Sequence, residues 1–325
     1  MQYTSLGRTG VQVSRLCFGT MSFGSTSDEA ECADVFERCI EHGINFFDCA
    51  NSYSGGEAER ILGRLIHDRR DDLVITTKVA AKVGDGPNDR GLSRRHIVRQ
   101  VELSLERLQT DRIDLYFVHH FDERTPMQET LQALDDLVSS GKVLYLGASN
   151  WAAWQLATAA GISAREGLAR FECIQPMYSL IKRQAEVEIL PWAVASDVGV
   201  IPYSPLGAGM LTGKYAPGQR PPQGRIVENA MYASRYREEA YLSIAERFAA
   251  HARERDVHPA TLAVAWVLAH PAVTAPIIGA RSVSQLEASL QASELELDPE
   301  WRDEISALSY QPPPATDRSE TVTKS

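Results

Sequence analysis

Ile44-Asn45-Phe46-Phe47-Asp48 and Leu73-Val74-Ile75-Thr76-Thr77-Lys78 are the two stretches whose reading decides the fold. Each is a short run of apolar and β-branched residues, the composition of a strand buried on both faces. Each ends on a charged side chain, an acid at Asp48 and an amine at Lys78. Between them a loop passes Tyr53 and Gly55-Gly56 and leads into a helical segment that runs to about Ile66. Two strands joined through a helix pair in parallel, and consecutive strands of this kind usually become neighbours.

The same alternation extends in both directions. Tyr3–Leu6 and Val11–Ser14 flank Gly7-Arg8-Thr9-Gly10 and predict a short β-hairpin. Strands follow at Arg15–Gly19, Ile44–Asp48, Leu73–Lys78, Ile113–Val118, Val143–Gly147, Glu172–Gln175, Val200–Tyr203 and Ala275–Ile278. Ser27-Asp28-Glu29 opens a helix to Glu41 that Gly43 caps, and further helices are predicted from Ser93 to Leu108, from Met127 to Val138, from Ala152 onward and from Ala185 to Ala195. Two more, at Glu238–Arg255 and Pro259–His270, precede the last strand. Eight short strands interleaved with helices close most simply as an α/β fold, a (β/α)8 TIM barrel with an N-terminal β-hairpin and extra helices near the C-terminus. Residues 1–310 read as one such domain, and 311–325, opening on Gln311-Pro312-Pro313-Pro314, as a disordered polar tail. The connection from Leu206 to about Tyr236 is the one long irregular stretch, a length that usually signals function or mobility.

Composition narrows the function classes. A length of 325 residues suggests two domains by average size, but α/β barrels of this length fold as one. The formal charge of −10 argues against a nucleic-acid partner and leaves any anion site local. No apolar run is as long as a membrane span, and the polar N-terminus does not read as a signal peptide. Cys17, Cys32, Cys39, Cys49 and Cys173 are odd in number and show no metal or redox spacing, which predicts reduced thiols in a cytoplasmic protein. Cys49, next to Asp48, reads as an inert buried thiol rather than a reactive one. Association into a homo-oligomer stays open.

In barrels of this type the C-terminal ends of the strands form the active site. Here those ends are Gly19-Thr20-Met21, Asp48, Lys78, His119, Ser149-Asn150, Gln175, Tyr203-Ser204 and Gly279. That is a polar ring on an apolar barrel, and stability alone does not require it. Asp48 and Lys78 by themselves need be no more than a salt bridge. Tyr53, five residues past Asp48, adds a phenol that the loop can fold over the mouth. Lowering its pKa by about three units takes about 4 kcal/mol. One ammonium about 4 Å away supplies roughly that at an effective dielectric of about 20. A tyrosine so tuned can exchange a proton with a substrate oxygen. His119 ends the strand after the Lys78 strand and faces the same mouth, where its ring N–H can orient a carbonyl oxygen. By strand alternation His120 is expected to point away.

A second constellation lies near the last strand. Ser282-Val283-Ser284-Gln285 has the form of a capping box, and Arg281 precedes it. Free N–H groups at a helix start beside an arginine can hold a phosphate, which barrel enzymes often place after strands seven and eight. Taken alone, the same residues could be a plain cap and a solvated arginine. Gly207-Ala208-Gly209 lacks the GxGxxG spacing and opens no βαβ unit, so a Rossmann site is rejected.

Together these segments resemble the aldo-keto reductase superfamily, and within it the bacterial members similar to potassium-channel β subunits. The resemblance runs from Leu6 to Gln291. It is carried by Phe47-Asp48-Cys49-Ala50-Asn51-Ser52-Tyr53-Ser54-Gly55-Gly56, Thr77-Lys78, Asp114-Leu115-Tyr116 followed by His119, Gly147-Ala148-Ser149-Asn150, Gln175-Pro176-Met177-Tyr178 and Tyr203-Ser204-Pro205-Leu206. It implies a catalytic tetrad of Asp48, Tyr53, Lys78 and His119, with Tyr53 the general acid, and NADPH as cofactor. Ser149, Asn150 and Gln175 would hold the carboxamide, and Tyr178 would stack on the nicotinamide. Ser204, Leu206, Gly209 and Lys214 would line the pyrophosphate channel, with Arg281 and Gln285 at the 2′-phosphate. Thr20, Met21, Tyr203, Pro205 and Gly279, at strand ends, complete the expected cofactor surface. Ala288-Ser289 stand where many members carry Glu-Asn, so a preference for NADPH over NADH rests on Arg281.

The function expected is reduction of an aldehyde or ketone to an alcohol, hydride passing from the nicotinamide while Tyr53 protonates the oxygen. One alternative is an NADPH-sensing module with little turnover. Another is a Schiff-base aldolase using Lys78, which needs the neutral amine that Asp48 opposes. Three loops, Val79–Leu92, His120–Met127 and Tyr215–Tyr236, would set the substrate, and their residues fit no single one.

Overall fold

Alternation along the strands decides what enters the barrel. The computed structural model describes residues 1–215 and 224–318. The chain starts with β1 (Tyr3–Ser5) and β2 (Gln12–Ser14), an antiparallel pair with Tyr3 opposite Ser14. Gly7 in their turn has φ +51°, and a Cβ there would sit 2.8 Å from the Gly199 nitrogen, so the hairpin packs directly under the barrel.

Eight parallel strands follow: β3 (Cys17–Gly19), β4 (Phe46–Asp48), β5 (Val74–Val79), β6 (Ile113–Val118), β7 (Val143–Ser149), β8 (Phe171–Gln175), β9 (Gly199–Val200) and β10 (Ile277–Ile278). They pair in sequence order, and β10 returns beside β3. The Thr274 and Ala275 N–H groups donate to Val200 O at 2.8 and 3.3 Å, and Ile277 N–H to Pro202 O at 2.9 Å, which closes the ring between β9 and β10. The fold is a (β/α)8 barrel. Strands β9 and β10 are shorter than the sequence reading because Pro202 and Pro276 offer no N–H to a ladder.

The helices are α1 (Glu29–Glu41), α2 (Glu57–Ile66), α3 (Arg94–Leu108), α4 (Met127–Ser139), α5 (Ala153–Glu166), α6 (Ile189–Ala195), α7 (Arg225–Glu228), α8 (Ala230–Arg235), α9 (Glu239–Glu254), α10 (Pro259–Leu268), α11 (Val283–Leu290) and α12 (Pro299–Ala307). A capping box of Asp28 and Glu31 starts α1. In α3, Ile97, Val101, Leu105 and Leu108 all turn inward, as their spacing predicts. The helix expected from Ala185 to Ala195 is broken into a turn at Gln184–Glu186 and α6. Pro191 tolerates the first turn of α6 but could not lie inside a longer helix. Within the Leu206–Tyr236 connection, a 3-10 turn at Gly207–Thr212 and the short α7 and α8 are formed, while 216–223 lie outside the described residues. Of the expected tail, Gln311–Arg318 are irregular and largely exposed, and 319–325 lie outside the described residues. No described helix is long and apolar enough to cross a membrane.

Two apolar layers result. Phe46, Val74, Leu115, Phe117 and Cys173 fill the barrel interior, above the hairpin residues Leu6 and Val13. Phe47 points the other way and meets Phe36 of α1 at 4.9 Å between ring centroids. Parity then sends Asp48 inward with Phe46, Lys78 with Val74, and Gln175 with Cys173. These three polar side chains top the apolar fill.

Candidate active site

Parity brings Asp48, Lys78 and Gln175 together, though they are up to 127 positions apart in sequence. Lys78 Nζ donates to Asp48 Oδ2 at 2.6 Å and to Cys49 O at 2.6 Å. The other oxygen of Asp48 accepts from Thr76 Oγ1 at 2.7 Å and from Gln175 Nε2 at 2.9 Å. Lys78 has no exposed surface and Asp48 is 2% exposed. A buried pair is tolerated when the remaining lone pairs are satisfied in this way. Burial pulls the Lys78 ammonium down, but Asp48 and Tyr53 outweigh it and hold Lys78 above its ordinary value, fully charged.

Tyr53 enters from a turn at Tyr53–Gly56, where Ser54 has φ +50° and its hydroxyl is tied to Phe23 O at 2.7 Å. The Tyr53 hydroxyl lies 3.4 Å from Lys78 Nζ. Its pKa corrects the sequence expectation. Burial pushes the phenol up to about 12, and the opposing field of Lys78 does not overcome it. The phenol is therefore neutral and keeps its proton at neutral pH. His119 meets Tyr53 edge to face, with centroids 6.0 Å apart. Burial, aided by Lys78, lowers His119 to about 3, so its ring is neutral. Its Nδ1 is buried without a hydrogen-bond partner. His120 does not point away: both histidines line one cavity, their centroids 6.1 Å apart. Strand β6 ends at Val118, so alternation no longer governs them. Cys49 is fully buried and its thiol is pushed up to about 12 by burial and then by Glu59, which keeps it protonated.

The cavity has a volume of about 940 Å³, at the upper end for small-molecule sites. Among the residues that line it are Asp48, Tyr53, His119, Ser149, Asn150, Gln175, Tyr203, Ser204 and Met21, and also Pro205, Leu206, Gly209, Lys214, Gly279, Arg281 and Gln285. Asn150, at φ +58°, donates to His119 O at 2.9 Å and accepts from the Tyr203 hydroxyl at 2.7 Å. Ser149 Oγ donates to Gln175 O at 2.9 Å. Lys78 lies beneath the cavity floor, and Thr20, fully buried, braces Asp48 O through its N–H and hydroxyl at 2.9 and 3.1 Å.

Tyr178 does not reach the cavity, which corrects its expected stacking role. It is fully buried, donates to Glu186 at 2.7 Å and packs on Trp266 at 5.2 Å. Tyr203 is the aromatic ring beside Asn150 instead. At the other end, Ser282 caps α11 without a side-chain bond to its N–H groups; Gln285 accepts from the N–H of Arg281 at 3.2 Å, one residue before the cap, so the expected box does not form. Arg281 itself pairs with Glu228 of α7 at 2.9 Å. Burial lowers Lys214 first, with Arg281 adding to it. Arg225 and Arg235 also line the cavity and were not picked out from the sequence; Ser284, quoted there within the capping box, and Ala288, quoted there in place of the Glu of many members, line it too. The arginine-containing connection between Leu206 and Tyr236 was the only signal for the first two.

The aldo/keto reductase family model matches residues 15–309. The chain belongs to the aldo/keto reductase family. Among its relatives, the uncharacterized oxidoreductase YrpG of Bacillus subtilis is 42% identical over 311 residues, covering 92% of this chain and 93% of that protein. A probable voltage-gated potassium channel subunit beta of Arabidopsis thaliana is 38% identical, covering 91% of this chain and 92% of its own. The versiconal hemiacetal acetate reductase of Aspergillus parasiticus is 32% identical, covering 92% and 94%.

Aldo/keto reductases reduce carbonyl groups with a nicotinamide dinucleotide, and the cavity of this aldo/keto reductase suits one. Polar groups that can face a carboxamide, Ser149, Asn150 and Gln175, line it. Lys214, Arg225 and Arg281, cations that can face phosphates, line it too, and the charges of both arginines act on Lys214. Gly209, at φ +93°, keeps the backbone bare where a Cβ would come within 3.2 Å of Lys214.

Proposed function

We propose that this aldo/keto reductase reduces aldehydes or ketones to alcohols with NADPH. The observation that carries the reading is the buried Lys78 ammonium, bonded to Asp48 at 2.6 Å and 3.4 Å from the Tyr53 hydroxyl. NADPH supplies the hydride when bound. Tyr53 donates its phenol proton to the substrate oxygen, and an alkoxide is a stronger base than a phenolate, so the transfer runs downhill. The phenolate left behind faces an ammonium at 3.4 Å, worth about 5 kcal/mol at an effective dielectric of about 20. Asp48 keeps Lys78 charged and placed. The neutral His119 ring orients the oxygen by hydrogen bonding.

Ser149, Asn150 and Gln175 would hold the carboxamide, and Ser204, Leu206, Gly209 and Lys214 the pyrophosphate. Arg281 and Gln285 would take the 2′-phosphate, which supports NADPH over NADH. Arg281 would then exchange Glu228 for the phosphate. Five buried protonated thiols suit a reducing, cytoplasmic setting. A small-molecule carbonyl is the only partner this reading requires.

The test follows NADPH absorbance with an activated aromatic aldehyde and quantifies the alcohol. Alcohol formed in step with NADPH loss supports the proposal; tight NADPH binding with no alcohol across an aldehyde panel opposes it. That second outcome would favour a sensing role, a reading that draws on the channel-subunit relative. A Schiff-base aldolase is disfavoured because Lys78 is held as the ammonium.

A further inference from the structure

Four cationic side chains, Lys214, Arg225, Arg235 and Arg281, line the cavity of a chain whose formal charge is −10. They concentrate positive potential where a ligand enters. Their contacts differ, although Arg225 and Arg235 both lie over the Tyr232 ring, at 5.8 and 5.3 Å from its centroid. Arg281 pairs with Glu228 at 2.9 Å, and the charges of Arg281 and Arg225 both act on Lys214. That set suits the phosphates of a dinucleotide.

Arg235 is not among the charges that act on Lys214, and it faces a different set of side chains. Its charge acts on Tyr203 and Tyr236. The Tyr203 hydroxyl in turn bonds Asn150, and Asn150 bonds the His119 carbonyl. The guanidinium is fixed in place: it lies 5.3 Å from the Tyr232 ring centroid, with Nη2 3.8 Å from Met231 Sδ. The Tyr232 hydroxyl is itself 3.7 Å from Met21 Sδ. These contacts hold the cation without neutralising it. Among the described residues no carboxylate pairs with Arg235, and Ala216-Pro217-Gly218-Gln219-Arg220-Pro221-Pro222-Gln223 contains no acidic side chain. A positioned, half-buried guanidinium with no carboxylate partner among the described residues presents its planar fork to a ligand.

We infer that the preferred substrate is a carbonyl compound bearing a carboxylate, received by Arg235 while the carbonyl oxygen faces Tyr53 and His119. Met21 and Tyr232 offer the apolar wall for the carbon frame between the two groups. The inference rests on the carbonyl-reductase reading and adds the substrate class to it. Hydrogen bonds to a charged group contribute about 1.5–3 kcal/mol, so the carboxylate should raise kcat/KM roughly 10- to 150-fold over a neutral analogue.

The experiment measures kcat/KM at saturating NADPH for para-carboxybenzaldehyde and for its neutral counterpart, para-carbamoylbenzaldehyde, with wild type, Arg235→Met and Arg235→Lys. Wild type should favour the carboxylate at least tenfold, Arg235→Met should bring the ratio close to one, and Arg235→Lys should restore part of it. A wild-type ratio near one, or a ratio that Arg235→Met leaves intact, overturns the inference while the reductase reading stands. So does an Arg235→Met variant that weakens NADPH binding, followed by protein fluorescence, as much as it lowers the ratio, since Arg235 would then serve the cofactor. If neither aldehyde is reduced, the reductase reading fails, and titration calorimetry with para-carbamoylbenzoate decides the site by itself. Binding at least tenfold tighter to wild type than to Arg235→Met upholds the carboxylate site, and equal binding overturns it.

Discussion

The Lys78 ammonium meets the Asp48 carboxylate at 2.6 Å, with Lys78 fully buried and Asp48 2% exposed. Coulomb attraction alone does not make such a pair stabilising, because desolvating both charges costs several kcal/mol. Removing one partner is worse, since the other stays buried and uncompensated. Lys78→Met should therefore lower stability by about 3–5 kcal/mol, read as a fall in the urea midpoint at constant slope. The double variant Asp48→Asn/Lys78→Met should regain part of that loss. A single variant within about 1 kcal/mol of wild type would show that the pair is not sealed from water as described.

Acid should destabilise the protein before its carboxylates titrate. Burial lowers His119 to about 3 and His270 to about 4, and it also lowers His96. An unfolded histidine takes its proton near pH 6.5. Between that pH and the folded values the unfolded chain binds more protons, so stability is complete above about 6.5 and is lost as the pH falls. Each histidine contributes a slope approaching about 1.4 kcal/mol per pH unit. Urea midpoints at pH 7.5 and 5 should differ, and His119→Gln should reduce the difference. Equal midpoints would contradict neutral buried rings.

Gly63 on α2 sets how closely that helix meets α3. A Cβ there would fall 2.5 Å from Arg107 O and 2.7 Å from Leu108 C, both backbone atoms that cannot turn aside. Gly63→Ala should cost about 1–3 kcal/mol despite the better helix propensity of alanine, because overpacking outweighs it. Thermal melts would show this as a lowered Tm, and an unchanged or raised Tm would mean that the two helices can separate cheaply.

Much of this was legible in the chain. The runs at Ile44–Asp48 and Leu73–Lys78 named both the strands and the charged groups at their ends, because a two-residue period ties each end to a known face. The period also explains the failures. His120 and Tyr178 lie just past the ends of β6 and β8, where side-chain direction depends on the loop and no longer on alternation. The pKa of Tyr53 is not legible in the chain because sequence shows the neighbouring amine but not the burial that outweighs it. Glu228 and Arg281 are 53 positions apart, and no local pattern announces their pairing. Arg235 gains meaning only from what surrounds it, Tyr232 and Met231 on the wall and no carboxylate partner among the described residues.

The central claim is that Tyr53 delivers the proton, and turnover of Tyr53→Phe beside its NADPH affinity tests it most directly. The variant loses one hydroxyl that meets Lys78 across a long 3.4 Å approach, so its urea midpoint should stay close to wild type. With an activated aromatic aldehyde, kcat should fall about 10²- to 10⁴-fold, the usual share of general acid catalysis, with NADPH binding little changed. Turnover equal to wild type by the folded variant would contradict the account.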